Sequence, residues 1–474
     1  MISHKYRFNQ LLNHTDKNRR NFLAFMFSVV LLATFKRHSH SKEQHVPDKI
    51  IPRKESCPLD AVSSGFPKKP PLAKINLGVS NKGLSDVYLS RGGSPEQNIN
   101  NIINMHGGIS SIVGKDDIVV LKPNAQWWNQ GTTNTDAMYA FIKAIFSIPA
   151  FRGEVIIAEN HQYADPNSRG WNTDKRNGRF NLNELVAYFN SIGLGNITKY
   201  HWRCAGPNPT PLQGNESSGS KIVSGPWDGD GYVWNHDLSY TSSLGRKCIL
   251  SYPIFTSAYS GVTIDFKNGA WEKHKYTGQP VKFINFSALN HHSNFCGVTA
   301  SIKNYMGILD MTCGFQGTTP KGYWNTHYIG IRNDLTVPMM KYMPWRVRAK
   351  IDSLYKYKYV YHTASVIGSF MRDVRMADFN FITADWVGYG SRTDKNMSGY
   401  PRTLLASRDP VALDYIAGRD VLSPLTKLKE PNNKWLNEIN DVTEKHGPFF
   451  KFLAACHKEG IGNLDPQRML ILSA

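Results

Sequence analysis

Between Asn290 and Gly307 the chain gathers His291, His292, Cys296, Thr299, Lys303 and Asn304. Imidazole moves protons near neutrality, a lysine ammonium neutralises an anion, and hydroxyl and amide groups orient what is bound. His291, His292 and Cys296 also carry donor atoms that suit a soft metal. Their spacing matches no standard zinc signature, so no metal is assigned. His291 reads as a buried structural histidine, whereas His292 stands open between a structural and an acid–base role. If Val298 to Met306 is helical, Thr299 and Lys303 share a face at i, i+4, a face suited to a carboxylate or phosphate. The alternative is a helix with one lysine pointing into water.

Three further clusters follow strand-like runs. Lys122-Pro123-Asn124 comes after Asp117 to Leu121, and Thr132 lies in the hydroxyl-rich loop beyond it. Proline fixes the turn, lysine supplies a compact cation and asparagine both donates and accepts; an ordinary turn with a solvated lysine is the plain alternative. Glu159-Asn160-His161 ends the run Glu154 to Ala158 and offers a base or a metal ligand, or merely a helix cap. Asp385, with Gly388 and Gly390, follows Asp378 to Thr383 as a ligand-facing loop. Further on, Asp409-Pro410 reads as an N-cap with proline at the first helical position, and Asp414 faces either the site or backbone. Asp228-Gly229-Asp230-Gly231 breaks the EF-hand pattern and reads as a turn. Gly-x-Gly-x-x-Gly, P-loop, His-Glu-x-x-His and Gly-x-Ser-x-Gly motifs do not occur, which weighs against dinucleotide, ATP, zincin and serine-hydrolase chemistry.

The elements that must position these residues alternate between short apolar runs and helical patterns. Strands are expected at 117–121, 154–158, 248–252, 281–286 and 378–383, and helices at 137–148, 181–192 and from Pro410 to Asp420. That rhythm predicts an α/β fold: a mostly parallel sheet covered by helices on both faces, with long loop insertions at 203–245 and 308–350. Ligand sites in such sheets form beyond the carboxyl ends of strands. The folded body is expected over residues 73–474, starting with a run at 75–79, and residues 36–72 read as a flexible, proline-bearing tether. No internal repeat is present.

The first 35 residues read as a signal or membrane-anchor segment. Arg19-Arg20 precedes the apolar run Phe22 to Phe35, which is too short for a comfortable membrane span but suits a signal core. Export by the twin-arginine translocase to the periplasm is the expectation, with anchoring by residues 22–35 the variant on it. A net charge of +19 spread without a long basic run favours small anions over nucleic acid, for which no reader motif exists. The six cysteines contain no Cys-x-x-Cys, which argues against a ferredoxin cluster or zinc ribbon; a Cys296–Cys313 pair is one open option.

Lys122-Pro123-Asn124, the segment from Gly297-Val298-Thr299 through Lys303-Asn304 to Gly307, and Ser407 through Asp414 resemble, in this order, the bacterial family called domain of unknown function 362 (DUF362). Glu159 sits where that family tends to place a strand-end glutamate. The resemblance runs from about Leu77 onward and implies an α/β fold, often with twin-arginine signals or ferredoxin modules. It implies no established activity. Two departures stand out: Asn290 occupies the place of the lysine in a usual Lys-x-His, and the Cys-rich ferredoxin module is missing.

The leading expectation is an exported enzyme acting on a small anionic or polyhydroxylated molecule. Lys122 and Lys303 would neutralise its charge, and Asn124, Thr132, Thr299 and Asn304 would bind and orient it. His292 or Glu159 would be the acid–base group, with Asp385 as orienter or metal ligand. No cofactor is assigned. The competing expectations are a non-catalytic periplasmic binding protein that stacks ligands on Trp127-Trp128, and a redox protein using Cys296. All rest on the segments near 122, 159, 303 and 385 meeting at one rim of one sheet.

Overall fold

In the computed structural model the described residues are 75–160, 170–202, 216–218, 221–242, 245–292, 296–310, 323–324, 326, 329 and 362–474. They fall within the compact unit Pro52–Ala474. His161, Cys313 and most of the expected insertion at 308–350 lie outside the described residues, as do the signal and tether segments.

Ten strands build the main sheet: β1 Ser85–Arg91, β2 Ile118–Lys122, β3 Glu154–Glu159, β4 Ile197–His201, β5 Glu216–Ser218, β6 Val281–His292, β7 Gly297–Thr299, β8 Phe379–Gly388, β9 Thr403–Ser407 and β10 Met469–Ser473. Their order is β10-β1-β9-β8-β6-β2-β3-β4-β5, with β7 returning antiparallel on β6. From β8 to β5 every neighbouring pair along this order is parallel, while β1 with β9 and β9 with β8 are antiparallel. The mostly parallel sheet expected from the sequence is the architecture of the protein. β2 (IVVLK) and β3 (EVIIAE) are buried at every position, as befits strands covered on both faces. β6 sits at the centre, with Asn285 level with Lys122 on one side and with Asn380 on the other.

One face is covered by α1 Pro95–Met105, α2 Thr135–Phe146 and α3 Leu182–Ser191, packed through Ile99, Ile102, Phe141, Leu185 and Phe189 against Val119, Leu121 and Phe286. Asn134 caps α2 by accepting from the Ala137 N–H at 3.0 Å, and Asn181 with Glu184 closes a reciprocal capping box on α3. The opposite face carries α4 Ser301–Asn304, α5 His362–Asp373, α6 Pro410–Ala417, α7 Ser423–Lys429, α8 Lys434–Asn440 and α9 Pro448–His457. A second, six-stranded sheet packs there too, with Phe255, Phe266, Phe283, Tyr305 and Phe370 between the layers.

Three expectations change. The described part of 203–245 is not simply loop: Lys221–Val223 and Gly231–Val233 join the second sheet, and Ser239–Thr241 pairs with Lys247–Ile249. The expected strand 248–252 is split by Leu250-Ser251, and its second part, Tyr252–Thr256, pairs outside the main sheet. The run at 75–79 makes one bridge, Leu77 to Ile461, rather than a strand. Among the described residues no helix is long and apolar enough to cross a membrane.

Candidate functional site

Because β2, β3, β6 and β8 are parallel, Lys122, Glu159 and the far end of β6 reach the same edge of the sheet. Lys122 and Glu159 form an ion pair of 2.8 Å with both side chains fully buried. The ammonium also donates to the Pro123 carbonyl at 2.7 Å and to Asn304 Oδ1 at 2.8 Å, so its three donors have three acceptors. Glu159 Oε2 accepts from the Ala125 N–H at 2.5 Å. Burial draws the Lys122 amine below the ordinary lysine range, and the Glu159 carboxylate pushes it back up.

This network continues across the sheet as a line of amides. Asn304 Nδ2 donates to Asn285 Oδ1 at 2.8 Å and to the Lys122 carbonyl at 3.3 Å. Asn285 Nδ2 donates to Asn380 Oδ1 and to the Ser301 carbonyl, both at 2.9 Å. Asn380 in turn donates to the Ser407 carbonyl at 3.2 Å. Gly307 lies against the ion pair, where an added Cβ would collide with Glu159 Oε1 and Lys122 Nζ. That close approach explains a glycine there better than any turn does.

The line of amides fixes α4, a single turn that could not hold itself. Its start is held from outside. Asp414 on α6 accepts from the Ser301 N–H at 2.9 Å, the Ile302 N–H at 3.1 Å and the Ser301 hydroxyl at 2.6 Å. Asp414 therefore bonds backbone, one of the two options its position left open. Burial pushes its carboxyl up to about 7, against the pull of those hydrogen bonds. Asp409 caps α6 through the Val411 and Ala412 N–H groups at 2.8 and 2.9 Å, and also accepts from the Ser85 hydroxyl and the Asn463 N–H.

The expected helix over 298–306 is a strand, a one-turn helix and a 3-10 turn. Gly297 at φ 72° turns the chain so that β7 folds back on β6, and Thr299 lies on that strand opposite Asn290. Thr299 and Lys303 are thus not related by helical spacing. Thr299 instead meets His292, its Oγ1 2.8 Å from Nδ1.

Arg392 completes a cluster here. Its Nη1 stands 3.0 Å from His292 Nδ1. A guanidinium only donates, so Nδ1 accepts and His292 is the neutral tautomer with its proton on Nε2. The guanidinium lies over the Trp127 ring at 4.5 Å. The loop that carries it is pinned to the turn at 129–131: Asn129 Nδ2 donates to the Thr393 carbonyl at 2.8 Å, and Gln130 Nε2 to the carbonyls of Asp394 at 2.7 Å and Ser391 at 3.1 Å. Gly131 permits the contact, since a Cβ would stand 2.5 Å from the Arg392 carbonyl oxygen. Asn290 ties the end of β6 to the same turn, donating to the Gln130 carbonyl and accepting from the Gly388 N–H, both at 2.9 Å.

Lys303 is buried at 8% exposure and makes no hydrogen bond or ion pair with any described residue. Among the described residues, the charged and titratable groups it feels are the Cys296 thiol and Arg392. Burial holds its amine below the ordinary lysine range; the thiol pulls it back up, and Arg392 depresses it further. Burial likewise raises the Cys296 thiol, which donates to the Val298 carbonyl at 3.4 Å. Cys296 is a free thiol, and a thiol held protonated is a poor nucleophile.

The structure thus brings Lys122, Glu159 and Asn304 into one bonded group, and His292 and Thr299 into another with Arg392, whose charge reaches the Lys303 amine. Asn124 and Thr132 meet in the loop beyond β2, where the Thr132 hydroxyl donates to the Asn124 carbonyl at 2.9 Å and Asn124 Oδ1 is buried with no partner among the described residues. Asp385 is set apart. It lies in β8 between Thr383 and Gly388, where the pairing with β6 shifts register, and the charges it feels are Arg402 and Asp136 of α2. Burial raises its carboxyl. His291 is a core residue, Nδ1–H donating to Asn440 Oδ1 at 2.7 Å. Asp230 accepts from the Tyr200 hydroxyl at 2.5 Å and the Thr256 hydroxyl at 2.6 Å, as a structural turn residue. Among the described residues no three His, Cys, Asp or Glu side chains form a group that could hold a metal ion. The sequence reading missed Arg392; its only local signal is a polar stretch after Gly388-Tyr389-Gly390.

Residues 272–419 match the model of a family described as Domain of unknown function (DUF362), which supports the family for this chain. The matched segment runs through β6, α4, β8, β9 and α6, and so contains His292, Lys303, Arg392 and Asp414 but not Lys122 or Glu159. No curated protein and no solved structure matches the chain.

Proposed function

We propose that this DUF362-like protein is an enzyme that binds a small anionic or polyhydroxylated molecule at the Lys303–Arg392–His292 cluster. The observation that carries the reading is Lys303 itself: a buried amine that feels the Arg392 guanidinium, with no acidic partner among the described residues. Placing like charges together away from water costs several kcal/mol, roughly, unless something neutralises them. A carboxylate or phosphate from solution does so, and the Arg392 fork is shaped to accept it in two parallel hydrogen bonds. Thr299 and His292 stand within 2.8 Å of each other beside that fork and orient the bound molecule or move its protons.

Lys122, Glu159 and Asn304 have a different part in this reading. Their polar atoms are committed to one another, so they position α4 and the end of β2 rather than touch the ligand. We further propose export by the twin-arginine route, supported by Arg19-Arg20 ahead of the apolar run at 22–35. Fractionation of cells expressing the native chain and an Arg19→Lys/Arg20→Lys variant tests it. Retention of the variant alone is expected; identical distribution of the two contradicts it.

Calorimetric titration with phosphate, citrate and pyruvate tests the site. Saturable binding of at least one is expected, falling by about ten- to a hundredfold in Lys303→Met and Arg392→Gln, the range for one lost charge-assisted hydrogen bond. Equal affinity in all three proteins would remove the site.

A further inference from the structure

We propose that one end of the second sheet is a docking surface for an anionic lipid bilayer, entered by Trp227 and Tyr259 and steered by Lys273 and Lys275. The inference stands apart from the anion site and does not rest on it.

The connectivity of the sheet builds this end. Tyr252–Thr256, Thr263–Asp265, Gly269–Glu272 and Lys275–Tyr276 are consecutive antiparallel strands, the last of them at the sheet edge. Each pairing reverses the chain, so the turn at 257–262 and the two-residue turn Lys273-His274 fall at the same end. Register sets a row across that end, with Thr256 opposite Thr263, Thr263 opposite Trp271 and Trp271 opposite Tyr276. Ala270 is buried in the core between the layers, so alternation turns Trp271 outward. Lys273 and His274 hold positive φ values of 49° and 61°, where Asn-Gly would be the easier choice. A basic pair is kept at the tip against that preference.

Beside the tip an aromatic cluster meets water. Trp227 is 62% exposed, Tyr259 56% and Tyr276 42%. Trp271 stands edge-to-face with Trp227 at 6.2 Å and with Tyr276 at 4.9 Å. Lys273, His274 and Lys275 are all exposed. Lysines on an edge strand guard against aggregation, but that role calls for no exposed tryptophan next to them. The acids nearby are largely engaged. Glu272 lies 3.4 Å from Lys273, Asp265 accepts from the Tyr276 hydroxyl at 2.8 Å, and Asp228 accepts from the Ser224 N–H at 2.8 Å. Lys275 has no acidic partner among the described residues.

Ring geometry and charge choose the occupant. A glycan stacks on coplanar ring faces, whereas these rings stand at 63° and 74° to one another and offer no flat platform. Trp and Tyr, with an apolar body and a polar tip, settle in the headgroup layer of a bilayer, and anionic headgroups attract adjacent lysines. A net charge of +19 draws the whole chain to such a surface. The sequence adds a membrane signal of its own in the apolar run at 22–35, and weak anchors of this kind hold stably in pairs. Placement fits as well. Glu154 opens β3 and accepts from the Ser257 hydroxyl and from the Ser260 hydroxyl at 2.6 Å, which ties the patch to the edge where the parallel strands begin. His292 ends β6 at the opposite edge, so docking through the patch leaves that edge open to solutes.

Co-sedimentation of the full chain with vesicles tests this, using phosphatidylcholine alone and phosphatidylcholine mixed with phosphatidylglycerol. Binding to the mixed vesicles is expected, and salt should weaken it. Lys273→Gln/Lys275→Gln should lower the partition coefficient by about tenfold, for two lysines lost at an anionic surface. Trp227→Ser/Tyr259→Ser should lower it too, with the thermal unfolding midpoint unchanged because these side chains project into water. Brominated lipid should quench tryptophan fluorescence in the parent and less in Trp227→Phe, which reads insertion without relying on the double variants. Equal binding by the parent and both double variants places the contact elsewhere, such as the run at 22–35, and overturns the proposal. Binding indifferent to phosphatidylglycerol and salt does the same. A parent that is dimeric without lipid and monomeric as Trp227→Ser/Tyr259→Ser would make the patch an interface between copies and also overturn it.

Discussion

Lys122 and Lys303 are both buried lysines near one edge of the same sheet, and they are held in opposite ways. Lys122 has a carboxylate, a carbonyl and an amide oxygen, one for each of its donors. Lys303 has a cation and a thiol for neighbours and no hydrogen bond among the described residues. Burial opposes the charge of both. At Lys122 the protein answers that cost internally, so the residue is spent on structure. At Lys303 it leaves the cost unanswered, and a group so placed is open to a partner from outside. Two lysines in motifs of similar appearance therefore carry different work, and only their partners tell them apart.

Substitutions should separate them, with the largest effect at Lys122. Lys122→Met leaves the Glu159 carboxylate buried without its cation and should lower the unfolding free energy by about 3–5 kcal/mol. Urea denaturation reads this directly. Lys122→Met combined with Glu159→Gln should recover much of the loss, since no lone charge remains. A single variant as stable as the parent would make the ion pair decorative.

The next largest effect belongs to Asp414, which holds the start of α4. Asp414→Asn replaces one carboxylate oxygen with a donor and should cost about 1–3 kcal/mol through the Ser301 and Ile302 N–H groups. It also changes the pH dependence. The carboxyl lies at about 7 in the folded chain against an ordinary 3.8, so the folded state binds more protons in between. The contribution of Asp414 to stability is greatest below that window, declines as pH rises through it, and levels off above about 7. The stability difference between parent and Asp414→Asn, measured by denaturation across pH, should show that decline. A flat difference would place the Asp414 carboxyl in the ordinary range.

Lys303→Met should do the least to stability and the most to binding. Removing a buried cation that has no partner among the described residues leaves stability unchanged or raised by about 1 kcal/mol, while anion binding falls by about ten- to a hundredfold. The sign in pH follows from the lowered amine: the unfolded chain holds the proton at pH values where the folded chain has released it. The penalty is full below the folded value and is relieved as pH rises toward 10.5. Denaturation of the parent and Lys303→Met at neutral and alkaline pH checks it. A large destabilisation by Lys303→Met would reveal a structural partner and erase the contrast with Lys122.

Much of the sheet could be read from the chain because its central strands are buried on both faces. Runs such as Val119-Val120-Leu121 and Val155-Ile156-Ile157 leave little other use for so many β-branched residues. β1, β9 and β10 were not legible: β1 and β9 mix polar residues into their apolar runs, and β10 lies at the sheet edge with its side chains largely exposed. The segment around Lys303 reads as one helix by spacing, but a left-handed Gly297 and the tether of Asp414 break it into strand and turn. Neither device has a local signature. The same is true of the cluster. His292, Thr299 and Lys303 are close in the chain and visible as a group, whereas Arg392 reaches them only because Gln130 holds its loop across 261 positions. Asp385 reads like its neighbours at the strand ends, yet β8 runs on to Gly388 past the expected end at Thr383, with a register shift on the way, and Asp385 feels Asp136 of α2 instead.

The account depends most on the state of the Lys303 amine, and nuclear magnetic resonance of lysine-labelled protein measures it. The Lys303 signal is assigned by its loss in Lys303→Met, and its titration is followed with and without pyruvate or phosphate. The account predicts an amine that titrates below the ordinary lysine value of 10.5 and whose titration shifts when the anion is added. An amine that titrates with the surface lysines and ignores every anion would contradict it.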